Sequence, residues 1–146
     1  MDVIEGVSED IIKRARALRH EVFVIEQNVH PDEEWDGKDE QAVHFLLVDE
    51  NGTDIATGRM MFLDKTAKLQ RIAVSRKHRG RNLGKLLMDA MVTRARKEDG
   101  VREAYLSSQV HAIPFYEKHG FTAHGDVYDD AGIPHKDMTL IFTDTE

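Results

Sequence analysis

Residues 69–88 read Leu-Gln-Arg-Ile-Ala-Val-Ser-Arg-Lys-His-Arg-Gly-Arg-Asn-Leu-Gly-Lys-Leu-Leu-Met. An apolar strand, Leu69 to Val74, runs into a basic, glycine-bearing turn. The turn leads directly into a helix that carries Leu83, Leu86, Leu87, Ala90 and Met91 on one face. A helix start leaves about four backbone N–H groups without partners and holds a partial positive charge. Glycine lets the backbone come close to a ligand. Arg79, Arg81 and Lys85 add full charges at the same place. These residue types in this order predict an anion site, suited to a phosphate or pyrophosphate, at a helix N-terminus.

Working outward, Asp2 to Glu5 reads as a short edge strand. Ser8 is a good N-cap for a helix whose apolar residues Ile11, Ala15, Leu18, Val22 and Ile25 recur at helical spacing. That helix is expected to end between Ile25 and Val29, before Pro31. Residues 30–41 read as a polar loop with one helical turn. Ala42 to Val48 is an apolar strand, Asn51-Gly52 a hairpin turn, and Asp54 to Leu63 the partner strand. Ala67 to Val74 follows after a turn at Asp64 to Thr66. Asn82 to Glu98 is the main helix, with Gly100 just past its end. Val101 to Ser107 is a strand, and Val110 to His119 a short helix closed by Gly120. Phe121 to Val127 and Met138 to Phe142 are the last strands, joined by a polar turn containing Gly132-Ile133-Pro134. The order β-α-β-β-β-α-β-α-β-β describes an α+β protein, a mixed sheet with helices on both faces.

Two blocks carry a more specific resemblance. Arg79-Gly80-Arg81-Asn82-Leu83-Gly84 resembles the Arg/Gln-x-x-Gly-x-Gly/Ala loop of the GNAT N-acetyltransferases, and Ile72-Ala73-Val74 resembles the strand before it. Ala112-Ile113-Pro114-Phe115-Tyr116-Glu117-Lys118-His119-Gly120-Phe121 resembles the family's later Ala-x-x-Phe-Tyr-x-x-x-Gly-Phe motif. The resemblance is clear from residue 42 to 142. Asn82 stands where the family most often has its first motif glycine. Asn is the non-glycine residue that best tolerates positive φ, so the loop geometry can survive.

The resemblance implies the acyl-CoA N-acyltransferase fold, a mostly antiparallel sheet flanked by helices with two splayed central strands. Here those strands are Ala67–Val74 and Val101–Ser107. It implies acetyl-CoA as cosubstrate, bound between them, with its pyrophosphate on Arg79, Gly80, Arg81, Asn82, Leu83, Gly84 and Lys85. Ile72, Ala73 and Val74 match the family's backbone contacts, and Phe115 packs under the cofactor. His111 stands where many members carry an Asn that contacts the cofactor. Tyr116 matches the Tyr that acts as general acid toward the leaving sulfur. As a plain core aromatic, Tyr116 would need no such role.

Acetyl transfer from a thioester to an amine needs a neutral amine, a stabilised oxyanion and a stabilised leaving thiolate. It needs no covalent intermediate. The candidates for the base are Glu26, His44 and His135, or a water chain. Arg19 to Gln27 and Gly132 to Met138 resemble signature stretches of the ElaA/YjcF-like subgroup, which brings Glu26 and His135 forward. The reading is an N-acetyltransferase acting on a primary amine of a small molecule or peptide. The alternative is a CoA-binding sensor of the same fold, which would have no need of the Tyr116 hydroxyl.

The bulk numbers bound these readings. A chain of 146 residues suits one domain, 1–146, with one sizeable core. The formal net charge of −7 argues against general nucleic-acid binding and makes the cluster Arg76 to Lys85 a local site. The acid-rich stretch Asp32 to Glu40 reads either as a solvated loop or as a rim attracting a cationic amine. No apolar run approaches the roughly 20 residues of a membrane span. The start, Met-Asp-Val-Ile-Glu-Gly, has neither the basic residues nor the apolar stretch of a secretory signal. The absence of cysteine excludes disulfides and thiolate sites and fits a cytoplasmic protein. The 8 histidines show no zinc-ligand spacing, so no metal is expected. A homodimer is compatible with the resemblance.

Overall fold

The computed structural model describes residues 1–142. Its strands are β1 (Asp2–Gly6), β2 (Val43–Val48), β3 (Asp54–Leu63), β4 (Thr66–Val74), β5 (Glu103–Gln109), β6 (Thr122–Asp130) and β7 (Ile133–Ile141). Its α-helices are α1 (Glu9–Arg19), α2 (Pro31–Glu34), α3 (Leu83–Lys97) and α4 (Ile113–Glu117). The strands form one sheet in the order β1-β2-β3-β4-β5-β7-β6, in which only the β4–β5 pair is parallel among the described residues. The expected mixed sheet flanked by helices is the sheet observed.

The helices lie on opposite faces, as the alternation along β4 requires. Ala73 packs with Leu18 and Val22 of the first helical segment, whereas Ile72 and Val74 pack against the main core. Neighbouring residues of a strand point to opposite faces. The main core joins Leu87, Met88, Met91 and Ala95 of α3 to Phe45, Leu69, Leu106 and Met138 of the sheet. Burying each of the Leu, Met and Phe side chains among them contributes roughly 1.5–3 kcal/mol.

Three expectations are refined. The first helix is α-helical only to Arg19 and continues as a π-helical turn, His20–Glu26, in which the Gln27 amide donates to the Val22 carbonyl at 3.1 Å. Apolar spacing does not distinguish the two forms over so short a stretch. The last hairpin is tighter than expected. β7 begins at Ile133, and the turn is Ala131-Gly132, both at positive φ. Pro134 is accommodated as the second residue of its strand, where its missing N–H costs little. Polar composition hid these strands because one face of this hairpin is open to solvent.

The acidic stretch is the third correction. Glu34 and Asp39 are buried and Asp36 is ion-paired at the surface, whereas Asp32, Glu33 and Glu40 stay exposed as a solvated loop requires. Arg19 donates to Glu34 and Asp39, Arg59 to Asp36 and Asp39, and Arg71 to Glu34. Arg19 and Arg59 are fully buried, so their charges need these partners. The loop is thereby tied to α1, β3 and β4.

Candidate active site

β4 and β5 pair at Thr66–Glu103, Ala67–Ala104 and Lys68–Tyr105, and then diverge. The divergence has a local cause. At Arg71 the backbone takes φ 55°, and the β3–β4 register shifts so that β4 carries one residue more than β3. A β-bulge bends its strand and increases the twist, turning β4 away from β5. The bulge is held by the Arg71 side chain, which donates to the Glu34 carboxylate at 2.9 Å and to the Glu34 carbonyl at 3.1 Å. Sequence reasoning missed Arg71, because positive φ at an arginine has no composition signal.

The gap is a cleft of about 940 Å³. Ile72, Ala73, Val74, Arg79, Gly80, Asn82, Leu83, Gly84, His111, Phe115 and Tyr116 line it, together with Glu26 and His135. Residues from the π-helical turn, the loop, α4 and the last hairpin therefore meet at one place. Arg81 and Lys85 are exposed beside the cleft and do not line it; Lys85 Nζ lies 3.4 Å from the Asp89 carboxylate. His44 is fully buried elsewhere, with Nε2 2.8 Å from the Asp39 carbonyl, and burial pushes its pKa down.

The loop has the geometry its composition suggests. Gly80 has φ 81°, and Asn82 caps α3 with φ 58° and ψ 22°, in the left-handed region. Gly84 serves a different need. A Cβ there would lie 3.3 Å from Phe115 Cζ and 3.6 Å from a Val74 methyl. The missing side chain thus lets the first turn of α3 close onto Phe115 and β4.

Arg79 does not extend toward the helix N-terminus. Its Nε donates to the Val74 carbonyl at 3.1 Å, and its two terminal nitrogens donate to the Glu26 carboxylate. Those hydrogen bonds, opposed by burial, hold the Glu26 carboxyl below its ordinary pKa. Tyr116 is buried edge-on between Phe115 at 5.1 Å and Phe121 at 6.2 Å. Burial raises its pKa, so the phenol keeps its proton. Tyr116 is part of the cleft wall, and its hydroxyl makes no side-chain hydrogen bond among the described residues.

The far wall was not foreseen. Tyr105, Ser107, Gln109 and Tyr128 also line the cleft. Gln109 and Gln27 exchange amide hydrogen bonds at 2.9 and 3.4 Å, joining β5 to the end of the π-helical turn. The alternation Tyr105-x-Ser107-x-Gln109 and His135-x-Asp137 was the available signal, since residues two apart on a strand share a face.

A parallel pair splayed at a bulge, with a helix N-terminus at one end of the gap and a buried phenol beside it, defines an acyl-CoA N-acyltransferase fold. The chain belongs to the GNAT acetyltransferase family, whose acetyltransferase (GNAT) domain matches residues 8–142. It is 35% identical over 139 residues to the uncharacterized N-acetyltransferase YjcF of Bacillus subtilis, covering 94% of this chain and 98% of that one. The crystal structure of Escherichia coli ElaA superposes with a TM-score of 0.87 at 27% identity, covering 96% of this chain and 99% of that chain. An acyl-CoA N-acyltransferase from Pseudomonas aeruginosa gives 0.85 at 28% identity over 95% of this chain and 98% of its own. These relatives agree with the ElaA/YjcF-like character of the two signature stretches.

Proposed function

We propose that this protein is an acetyl-CoA-dependent N-acetyltransferase that acts on a primary amine of a small molecule or peptide by direct attack within a ternary complex. The observation that carries the reading is the cleft itself. Beyond Lys68 and Tyr105 the facing edges of β4 and β5 have no strand partner, and such backbone groups need hydrogen bonds. The amides of a pantetheine arm supply them, with Ile72, Ala73 and Val74 on one side. Beside them the loop from Gly80 to Lys85 opens the first turn of α3, where a Cβ on Gly80 would meet nothing within 4 Å. A diphosphate fits those free N–H groups. Arg81 and Lys85 add charge beside it, Arg79 being paired to Glu26, and His111 and Phe115 complete the wall.

When bound, acetyl-CoA supplies the activated acetyl group. Tyr116 then has the geometry of a general acid, being a protonated phenol with an uncommitted donor. His135 is the stronger candidate for the base. Its Nδ1 is 2.7 Å from the Ile133 carbonyl oxygen, which leaves Nε2 free to accept a proton. Glu26 is a weaker base, because Arg79 holds its carboxylate ionised, and its better-supported role is to position Arg79.

The test is thiol release from acetyl-CoA in the presence of a panel of amines, beside a melting curve with acetyl-CoA alone. A ligand that binds only the native state raises the melting temperature. Amine-dependent thiol release and a shift support the reading. No shift at millimolar acetyl-CoA overturns it.

A further inference from the structure

The far wall of the cleft is one face of β5, β7 and β6. Ser107 lies beside Asp137 and Gln109 beside His135, while His135 lies beside Tyr128. The hydrogen-bond directions within this patch follow from the groups themselves. Burial pushes the Asp137 carboxyl up, but hydrogen bonds from Tyr105 and Tyr128 outweigh it and keep it ionised. An ionised carboxylate only accepts. Tyr105 therefore donates to Oδ1 at 2.5 Å, and Tyr128 donates to the same oxygen at 2.7 Å. With the single hydroxyl proton of Tyr128 committed, Ser107 donates its own to the Tyr128 oxygen. The His135 ring, stacked on Tyr128 at 6.3 Å, directs its proton from Nδ1 to the Ile133 carbonyl.

Tyr105, Ser107, Tyr128 and His135 have thus all turned their protons away, and all four line the cleft. What they offer a ligand is lone pairs only. The unpaired charges nearby agree in sign. Glu33 and Asp130 line the cleft without an ion-pair partner among the described residues, whereas Glu26 and Glu34 are matched by Arg79 and Arg71. Lys68 is the exception, and it sits beside Tyr105, where β4 and β5 are still paired. His135 is in register with Gln109, four residues further along β5, on the order of 13 Å away.

We infer that this acceptor-only patch is the amine-binding wall and that it selects cationic amines carrying a second donor group, such as diamines, over amines that carry a carboxylate. An ammonium or N–H donor meets lone pairs at each of these four side chains, and a carboxylate would face them unpaired. The inference rests on the N-acetyltransferase reading for its catalytic consequence but not for its binding consequence.

Butane-1,4-diamine and 4-aminobutyrate share reach and a primary amine and differ only at the far end. The expected result is a kcat/KM for the diamine at least about tenfold above that for 4-aminobutyrate, the scale of one charge-assisted hydrogen bond. Asp137→Asn and Tyr128→Phe should each narrow that ratio several-fold. Because the readout is a ratio between two acceptors, a general loss of activity or stability cancels. Glu33 and Asp130 alone would favour the diamine without any response to these substitutions, so an unchanged ratio in both variants overturns the inference. So does a native ratio near one or reversed. Should acetyl-CoA bind and no amine release thiol, the enzymatic reading fails by itself. Calorimetric titration of the two compounds into the native protein and Asp137→Asn then decides the patch. Tighter diamine binding that is lost in the variant supports it, and equal or reversed binding overturns it.

Discussion

Glu26, the last residue of the π-helical turn, and Arg79, at the head of the anion loop, form a two-pronged ion pair, with Arg79 Nη2 donating to Oε1 at 2.7 Å and Nη1 donating to Oε2. The pair spans 53 residues of sequence and joins the end of the π-helical turn to the loop before α3. Its side chains are 25% and 39% exposed, so solvent screens it. The folded-state pKa of Glu26 lies below its ordinary value of 4.5, so its contribution is present above pH 4.5 and lost as pH falls through the folded value. Glu26→Gln should therefore lower stability at pH 7 by less than about 1 kcal/mol. Melting temperatures of both proteins in steps downward from pH 7 check this, and the gap should be constant above pH 4.5 and narrow at some lower pH. A gap that never narrows as far down as both proteins stay folded would mean that Glu26 acts through packing and not through charge.

Tyr116→Phe tests the acid. The hydroxyl has no side-chain partner among the described residues, and the ring keeps its edge-on contacts with Phe115 and Phe121. Stability and the acetyl-CoA-induced shift should change little. A donor that acts as the thiolate leaves should lower kcat more than it raises KM. General acids are typically worth about 10²–10⁴-fold, and a thiolate is a good leaving group, so the low end is expected. Steady-state kinetics with an intact cofactor titration is the measurement, and an unchanged kcat returns Tyr116 to a packing role.

Gly84→Val should act on the fold as well as on the ligand. A Cβ alone already reaches 3.3 Å from Phe115, and branching there forces Phe115 or α3 to move. Overpacking of this kind costs typically about 1–3 kcal/mol. The melting temperature without ligand should fall, and acetyl-CoA should no longer raise it. An unaltered shift would show that the first turn of α3 is not where the diphosphate sits.

Asp39→Ala tests the buried arginine lattice. Asp39 accepts from Arg19 at 2.7 Å and from Arg59 at 3.0 Å. Its removal leaves two fully buried guanidinium groups short of a counter-charge, although Glu34 and Asp36 remain. Breaking one partner of a buried pair costs about 3–5 kcal/mol, and the low end is expected here. Urea denaturation gives the value. A loss under 1 kcal/mol would mean that the lattice is redundant.

Much of the site was legible along the chain. The strand, the loop and α3 are contiguous in sequence, and their chemistry depends on local geometry. Positive φ at Gly80 and Asn82 and free N–H groups at a helix start need no distant partner. The later block that supplies Phe115 and Tyr116 was likewise readable as a motif. The far wall of the cleft was not. Its meaning lies in which neighbour takes each proton, and Tyr105, Tyr128 and Asp137 become neighbours only when β7 inserts between β5 and β6.

By itself the sequence determined the element order, the turn that opens α3 and the family to which the chain belongs, because these rest on period, turn chemistry and short spacings that are local in the chain. Only the tertiary structure decided that Arg79 turns to Glu26, that Arg19, Arg59 and Arg71 pair with Glu34, Asp36 and Asp39 of the acidic loop, and that Tyr105 and Tyr128 both direct their protons to Asp137. A charge or a hydroxyl has no fixed role until its partner is known, and each of these partners comes from a distant part of the chain.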